Sequence, residues 1–222
     1  MYKRQILLSE RPLPAPATEE AARTLARGIA ALGLDALPWS KALAQWRERV
    51  MFLRRAEGEE WPDLSDAALA ATIEHWLAPH LVGKAGLADI APDELAEALR
   101  ALLPWSLRAR LDAEAPTHVE VPTGSRIAID YGAEEGPVLA VRVQELFGLR
   151  QHPTIAAGRV PLVLHLLSPA QRPIQITRDL PGFGGGAWAG VRADMRGQYP
   201  KHPWPEDPLN AEPTRRAKPR GT

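Results

Sequence analysis

The sequence contains no cysteine. That absence excludes disulfides, thiolate metal sites and a cysteine nucleophile, and it suits the reducing cytoplasm. Net charge is missing too, because 27 Lys and Arg residues balance 27 Asp and Glu. No global field therefore draws the chain to nucleic acid or to an anionic membrane, and any polyanion binding must come from a local patch. Long hydrophobic runs are also lacking. The most apolar segment, VPLVLHLL, is far below bilayer length, and the opening MYKRQILLSERPLPAP is too weakly apolar for a signal peptide. A cytoplasmic location with no membrane partner is the expectation. Metal and hydrolase patterns are equally thin. His75, His80, His118, His152, His165 and His202 never stand at i,i+4 on one helix, and Ser168 lies in L-S-P-A, outside any nucleophile elbow.

What is present is enough apolar material, 45% of 222 residues, for a substantial core. Its period changes at Pro116. Residues 1–17 form an extended leader: a short strand at Gln5 to Ser9, then Pro12, Pro14 and Pro16, which bar helix for themselves and their predecessors. Beginning on a bare strand and such an arm suits a piece of a longer protein. Residues 18–115 read as a helical subdomain. Thr18 is placed to N-cap a first helix that stops at Gly33. A second helix opens at Ser40, a third runs from Ser65 to about Leu77, and a fourth from Pro92 to Leu103 continues briefly through Leu107 and Leu111. Trp39, Trp46, Trp61, Trp76 and Trp105 mostly occupy apolar-stripe or cap positions of this half, which suits core packing.

Beyond Pro116 the runs THVEVP, RIAIDY, PVLAVRVQELFG, VPLVLHLL and PIQITRD alternate or are rich in β-branched residues, with turn signals between them. They predict a small barrel or sandwich of OB size over residues 116–180. Residues 181–222 supply a short helix near Trp188 to Arg196 and a tail that Pro200, Pro203, Pro205, Pro208, Pro213 and Pro219 keep irregular. The fold class expected is α+β: a helical subdomain, then a small antiparallel OB-like β-barrel, a short helix and a Pro-rich tail.

The cations lie toward the C-terminus. Residues 1–115 hold 14 Lys and Arg against 17 Asp and Glu, and residues 116–222 hold 13 against 10. In that second half Trp188, Tyr199 and Trp204 alternate with Arg192, Arg196, Lys201 and His202. Flat faces for bases beside cations for phosphates is the composition used on single-stranded nucleic acid. The competing reading is that the aromatics pin the tail to the barrel while the cations face water. Arg172 and Arg178 in SPAQRPIQITRD could extend the basic surface, and Arg215, Arg216, Lys218 and Arg220 form a further run. The stretch from Gly182 to Ala187 formally fits G-x-G-x-x-A, but the strands before it are spaced as hairpins and no Lys-Ser/Thr comes after it, so a flexible turn is the reading preferred over a dinucleotide loop.

LLSPAQRPIQIT, DLPGF and VRADMRGQYPKHPWPEDP, preceded by VRVQELFGL, together resemble the C-terminal region of the HrpB family of bacterial DEAH/DExH-box ATP-dependent RNA helicases. ALPWS, RVMFLRR, WPDLSD and WLAPHL extend the likeness through the helical half. The resemblance implies an accessory module of a helicase whose RecA-like motor, with its ATP and Mg²⁺, lies elsewhere. Neither Gly-Lys-Ser/Thr nor Asp-Glu-x-His occurs here, so no cofactor is expected in this chain and no ATP hydrolysis by it alone. The implied partners are that RecA-like core and single-stranded RNA or another nucleic acid. The candidate contacts are Arg172, Arg178, Trp188, Arg192, Arg196, Tyr199, Lys201 and Trp204. Two departures weaken that surface: the family usually has a Trp and a basic residue after Phe183, where this chain has Gly184, Gly185 and Gly186, and Gln198 stands where Arg is usual. The alternative is a module that docks on the motor or a partner protein without touching nucleic acid.

Overall fold

The computed structural model describes residues 17–216. The leader and the cations Lys218 and Arg220 lie outside the described residues. Two compact units are present. One runs through Leu43 and resumes over Asp63–Pro104; the other comprises Ala44–Pro62 and the chain from Trp105 onward. The division thus does not fall at residue 116.

In the first unit, helix α1 (Glu19–Leu32) begins where the Thr18 hydroxyl accepts from the Ala21 N–H at 3.2 Å, with Glu19 and Glu20 in its first turn. It ends at Gly33, whose φ of 101° few other residues adopt. Its buried stripe is Ala22, Ala26 and Ile29. Helix α2 (Lys41–Glu57) opens with the Ser40 hydroxyl accepting from the Leu43 N–H, and the boundary between units falls inside it. The third predicted helix is two: α3 (Asp66–Ala71) and α4 (Ile73–Trp76). They separate at Thr72, whose hydroxyl donates back to the Ala68 carbonyl at 2.8 Å and whose φ and ψ of −109° and 11° leave the helical region. Helix α5 (Pro92–Arg100) starts with proline, and Glu94 accepts from the Ala91 N–H at 2.9 Å and from Lys84 at 2.8 Å. It stops short of the predicted Leu103, and Pro104 separates it from the next helix.

The second unit carries α6 (Trp105–Glu114) and the strands β1 (His118–Glu120), β2 (Arg126–Asp130), β3 (Val138–Arg142), β4 (Thr154–Ile155), β5 (Val160–Pro161), β6 (Val163–Leu167) and β7 (Pro173–Thr177). Buried Arg49 on α2 closes the end of α6. Its guanidinium donates to the carbonyls of Ala115 at 2.5 Å and Leu111 at 3.2 Å, and to Asp112 at 2.7 Å. Trp61 is fully buried with its indole N–H on Glu57 at 2.7 Å, as core packing requires. Trp105 is the exception among the helical tryptophans: it is 80% exposed, under the Arg108 guanidinium.

The antiparallel barrel expected from the strand spacing is corrected to an open sheet. Its order is β1-β2-β3-β6-β7, mostly antiparallel, with β1 and β7 as edges and no pairing between them among the described residues. β3 and β6 run parallel, Val138 opposite Val163 through Arg142 opposite Leu167. A parallel pair needs a long crossover, here residues 143–162, which hold a 3₁₀ turn at Val143–Leu146 and the β4–β5 hairpin. The reason is burial. VLAVR and VLHLL are covered on nearly every residue, as central strands must be, whereas β7 is largely exposed. Short helices α7 (Leu180–Gly185) and α8 (Trp188–Gln198) complete the unit. α7 replaces the flexible turn expected of the glycines: Asp179 accepts from the Gly182 N–H at 2.9 Å and Pro181 pre-sets the first turn.

Candidate nucleic-acid interface

The proposed contact residues fall on α8, the tail after it, the β6–β7 turn and, for Arg178, the link between β7 and α7. That turn is built around Ser168, which is 2% exposed. Its N–H donates to the Arg172 carbonyl at 2.8 Å, its hydroxyl accepts from the Arg172 N–H at 3.1 Å, and Gln171 takes a φ of 60° to close the loop. The Tyr199 hydroxyl meets the Ser168 hydroxyl at 3.5 Å, which brings the turn to the end of α8. Ser168 is therefore a turn-former.

The aromatics behave as pins. Trp188 is 1% exposed; its indole N–H donates to the Pro205 carbonyl at 3.0 Å, and its ring meets Phe147, Phe183 and Trp204 at centroid distances of 5.7, 6.0 and 6.1 Å. Trp204 is likewise buried, its indole N–H on the Tyr199 carbonyl at 2.9 Å. Neither ring has a free face, so neither is a base-stacking platform: each buries more area in the core than one exposed face could offer a base. Arg192 joins the same fixture, donating to the Trp204 carbonyl at 3.0 Å and to Glu206 at 3.1 Å. A proline-rich segment has few N–H groups of its own, so side chains from α8 satisfy its carbonyls. Further along, the Pro208 carbonyl accepts from the Gly148 N–H at 2.9 Å and the Thr214 N–H donates to the Gln144 carbonyl at 3.0 Å.

The glycines serve the same packing. A Cβ on Gly184 would stand 2.9 Å from Leu209 Cγ, so a side chain at position 184 would force Leu209 of the tail to shift. A dinucleotide loop is not formed here. α7 has six residues, comes after a hairpin strand, and has the Asp179 carboxylate where a pyrophosphate would need to sit.

Among the cations, Arg178 is exposed but donates to the Glu135 carbonyl, beside the Glu135–His165 contact of 2.9 Å. Arg172, Arg196 and Lys201 are exposed with no ion-pair partner among the described residues. Tyr199 is half-buried, its ring T-shaped to that of His202 at a centroid distance of 6.3 Å. Of the eight candidates, the Ser168 contacts bring Arg172 and Tyr199 together, while Arg196 and Lys201 stay exposed and Arg178 is held by Glu135. The structure takes Trp188, Trp204 and Arg192 inward.

Two polar residues next to this surface went unflagged in the sequence, Gln144 and Glu145, both 3% exposed. Glu145 accepts from Arg142 at 2.8 Å and Thr123 at 3.0 Å. Burial raises its pKa, but the hydrogen bonds from Ser125, Arg142 and Thr123 outweigh that and hold the carboxyl below its ordinary value. His202 is held below its ordinary value by burial and by the charge of Arg142. The available signal was a polar pair inside the apolar run VRVQELFG. No group of three or more His, Asp or Glu able to hold a metal occurs among the described residues, and no helix there is long and apolar enough to cross a membrane.

Residues 76–208 match the family described as ATP-dependent helicase C-terminal. The chain belongs to this HrpB C-terminal family. It is 48% identical over 215 residues to the ATP-dependent RNA helicase HrpB of Escherichia coli K12, covering 96% of this chain and 27% of that protein. The crystal structure of the E. coli DExH-box NTPase HrpB superposes with a TM-score of 0.80 at 47% identity, over 95% of this chain and 26% of that one. A second structure, of the Escherichia coli DEAH/RHA helicase HrpB, gives 0.68 at 46% identity over 87% and 25%. The chain therefore spans about a quarter of the length of the HrpB proteins it matches.

Proposed function

We propose that this chain is the accessory C-terminal module of an HrpB-type ATP-dependent RNA helicase, and that it holds single-stranded RNA through Arg172, Arg196 and Lys201. One observation carries the contact assignment: these three cations remain exposed and unpaired among the described residues, while the neighbouring Arg142, Arg178 and Arg192 are committed to protein oxygens. Phosphate contact by such cations is sequence-independent and needs no base platform. The open sheet does the work expected of an OB-like module by carrying the β6–β7 turn on a rigid support. ATP and Mg²⁺ belong to the RecA-like motor of the parent protein.

The test is fluorescence anisotropy with labelled single-stranded RNA at low salt. Replacing Arg172, Arg196 and Lys201 together by alanine should weaken binding at least about tenfold, since each charge-assisted bond is worth about 1 kcal/mol or more. Equal affinity of the two proteins would overturn the assignment and favour the second reading, docking on the motor or a partner protein without RNA. The inward aromatics and the balanced charge support that second reading.

A further inference from the structure

Of the seven tryptophans, only Trp105 is exposed. Trp39, Trp61, Trp76, Trp188 and Trp204 each donate the indole N–H to a protein oxygen at 2.7 to 3.0 Å. The Trp105 N–H has no such acceptor among the described residues, and the residue is 80% exposed. Helix periodicity keeps it there. Leu107 and Leu111 form the buried stripe of α6, and Trp105 lies about 200° round the helix from Leu107, at about 100° per residue. A ring in that position cannot turn into the core.

The same outer face supplies charge. The Arg108 guanidinium lies over the ring, 5.1 Å from its centroid. Arg108 is exposed and has no carboxylate partner among the described residues; Asp112, one turn further on, accepts from Arg49 instead. Arg110 on the same helix is the contrast, held by Glu57, Glu60 and Glu114 over the buried Trp61. One face of Trp105 thus carries a cation that no acid holds, and the other is open to water. An anchor for a partner protein would sit in a packed apolar patch. Here the exposed neighbours on α6 are Ser106, Arg108 and Ala109, and Ile176, the other large exposed apolar residue of this unit, lies on β7. A base needs only a flat face, with a cation for the adjoining phosphate.

We propose that Trp105 and Arg108 form a stacking platform for one base of single-stranded RNA, with Arg108 meeting the phosphate beside that base. The platform rests on the RNA reading above and adds to it a contact on α6 that Arg172, Arg196 and Lys201 do not provide. Those three cations respond to charge alone, whereas the indole face responds to the presence of a base. The platform tolerates any sequence, because every base has a π-face.

The test sets a short oligouridylate against an inorganic polyphosphate of similar charge, each titrated into the 222-residue chain at low salt. Only the RNA carries bases. Stacking should quench the Trp105 emission, the component that Trp105→Phe removes, with RNA and not with polyphosphate. Trp105→Ala, at an exposed site and so with little cost to the fold, should weaken RNA about tenfold and leave polyphosphate unchanged. Trp105→Phe, which keeps a ring, should weaken RNA by less than about threefold. Replacing Arg172, Arg196 and Lys201 together by alanine should weaken both ligands. Equal RNA affinity of Trp105→Ala and the unsubstituted chain would overturn the platform, leave the RNA reading standing and turn the exposed ring over to protein docking. Equal loss of RNA and polyphosphate in Trp105→Ala would also overturn it, since the ring would then act on charge and not on a base. If RNA does not bind the unsubstituted chain, the platform and the RNA reading both fail.

Discussion

Trp188 donates its indole N–H to the carbonyl of Pro205 at 3.0 Å, which ties α8 to a tail that cannot form regular structure. With Phe147, Phe183 and Trp204 around its ring, it is the post on which the C-terminal segment is fastened.

Trp188→Ala should therefore cost about 3–5 kcal/mol, the range for losing a large buried aromatic. Urea denaturation monitored by far-ultraviolet circular dichroism measures it. A loss below about 1 kcal/mol would mean that the tail is held elsewhere.

The contact between Gly184 and Leu209 predicts a coupling. Gly184→Leu should destabilise the protein by about 1–3 kcal/mol through overpacking, since a Cβ there would already stand 2.9 Å from Leu209 Cγ. Leu209→Ala should cancel most of that loss when the two changes are combined. Additive effects in the double-mutant cycle would show that the two residues do not compete for space.

Glu145 predicts an acid-sensitive fold. Its folded pKa lies below the unfolded value, so its contribution to stability is present above the unfolded pKa and is lost as pH falls through the folded one. The urea midpoint should drop on acidification below the ordinary carboxylate range. Glu145→Gln, which keeps the shape but not the titration, should show a shallower drop. An identical pH profile for the two proteins would remove Glu145 from this role.

Much of the fold is legible in the sequence. Thr18 and Gly33 mark the ends of α1 because capping is local chemistry, and Ser40 marks the start of α2 for the same reason. The split at Thr72 is hidden: a hydroxyl bonding backward to Ala68 leaves no trace in hydrophobic spacing. The parallel β3–β6 pair is hidden too, because turn signals report neighbours in the chain and not which strand lies beside which. Trp188 and Trp204 show the limit at the site. Aromatics interleaved with cations have the same spacing whether they stack on bases or fasten a tail, and only burial separates the two uses.

The central claim is that Arg172, Arg196 and Lys201 meet the phosphates of single-stranded RNA. The salt dependence of binding tests it most directly, since each phosphate neutralised on a single strand contributes about −0.7 to the slope of log K against log salt. The account predicts a slope of about −2 for the chain, falling close to zero when all three residues are alanine. A slope that the triple substitution leaves unchanged would contradict it.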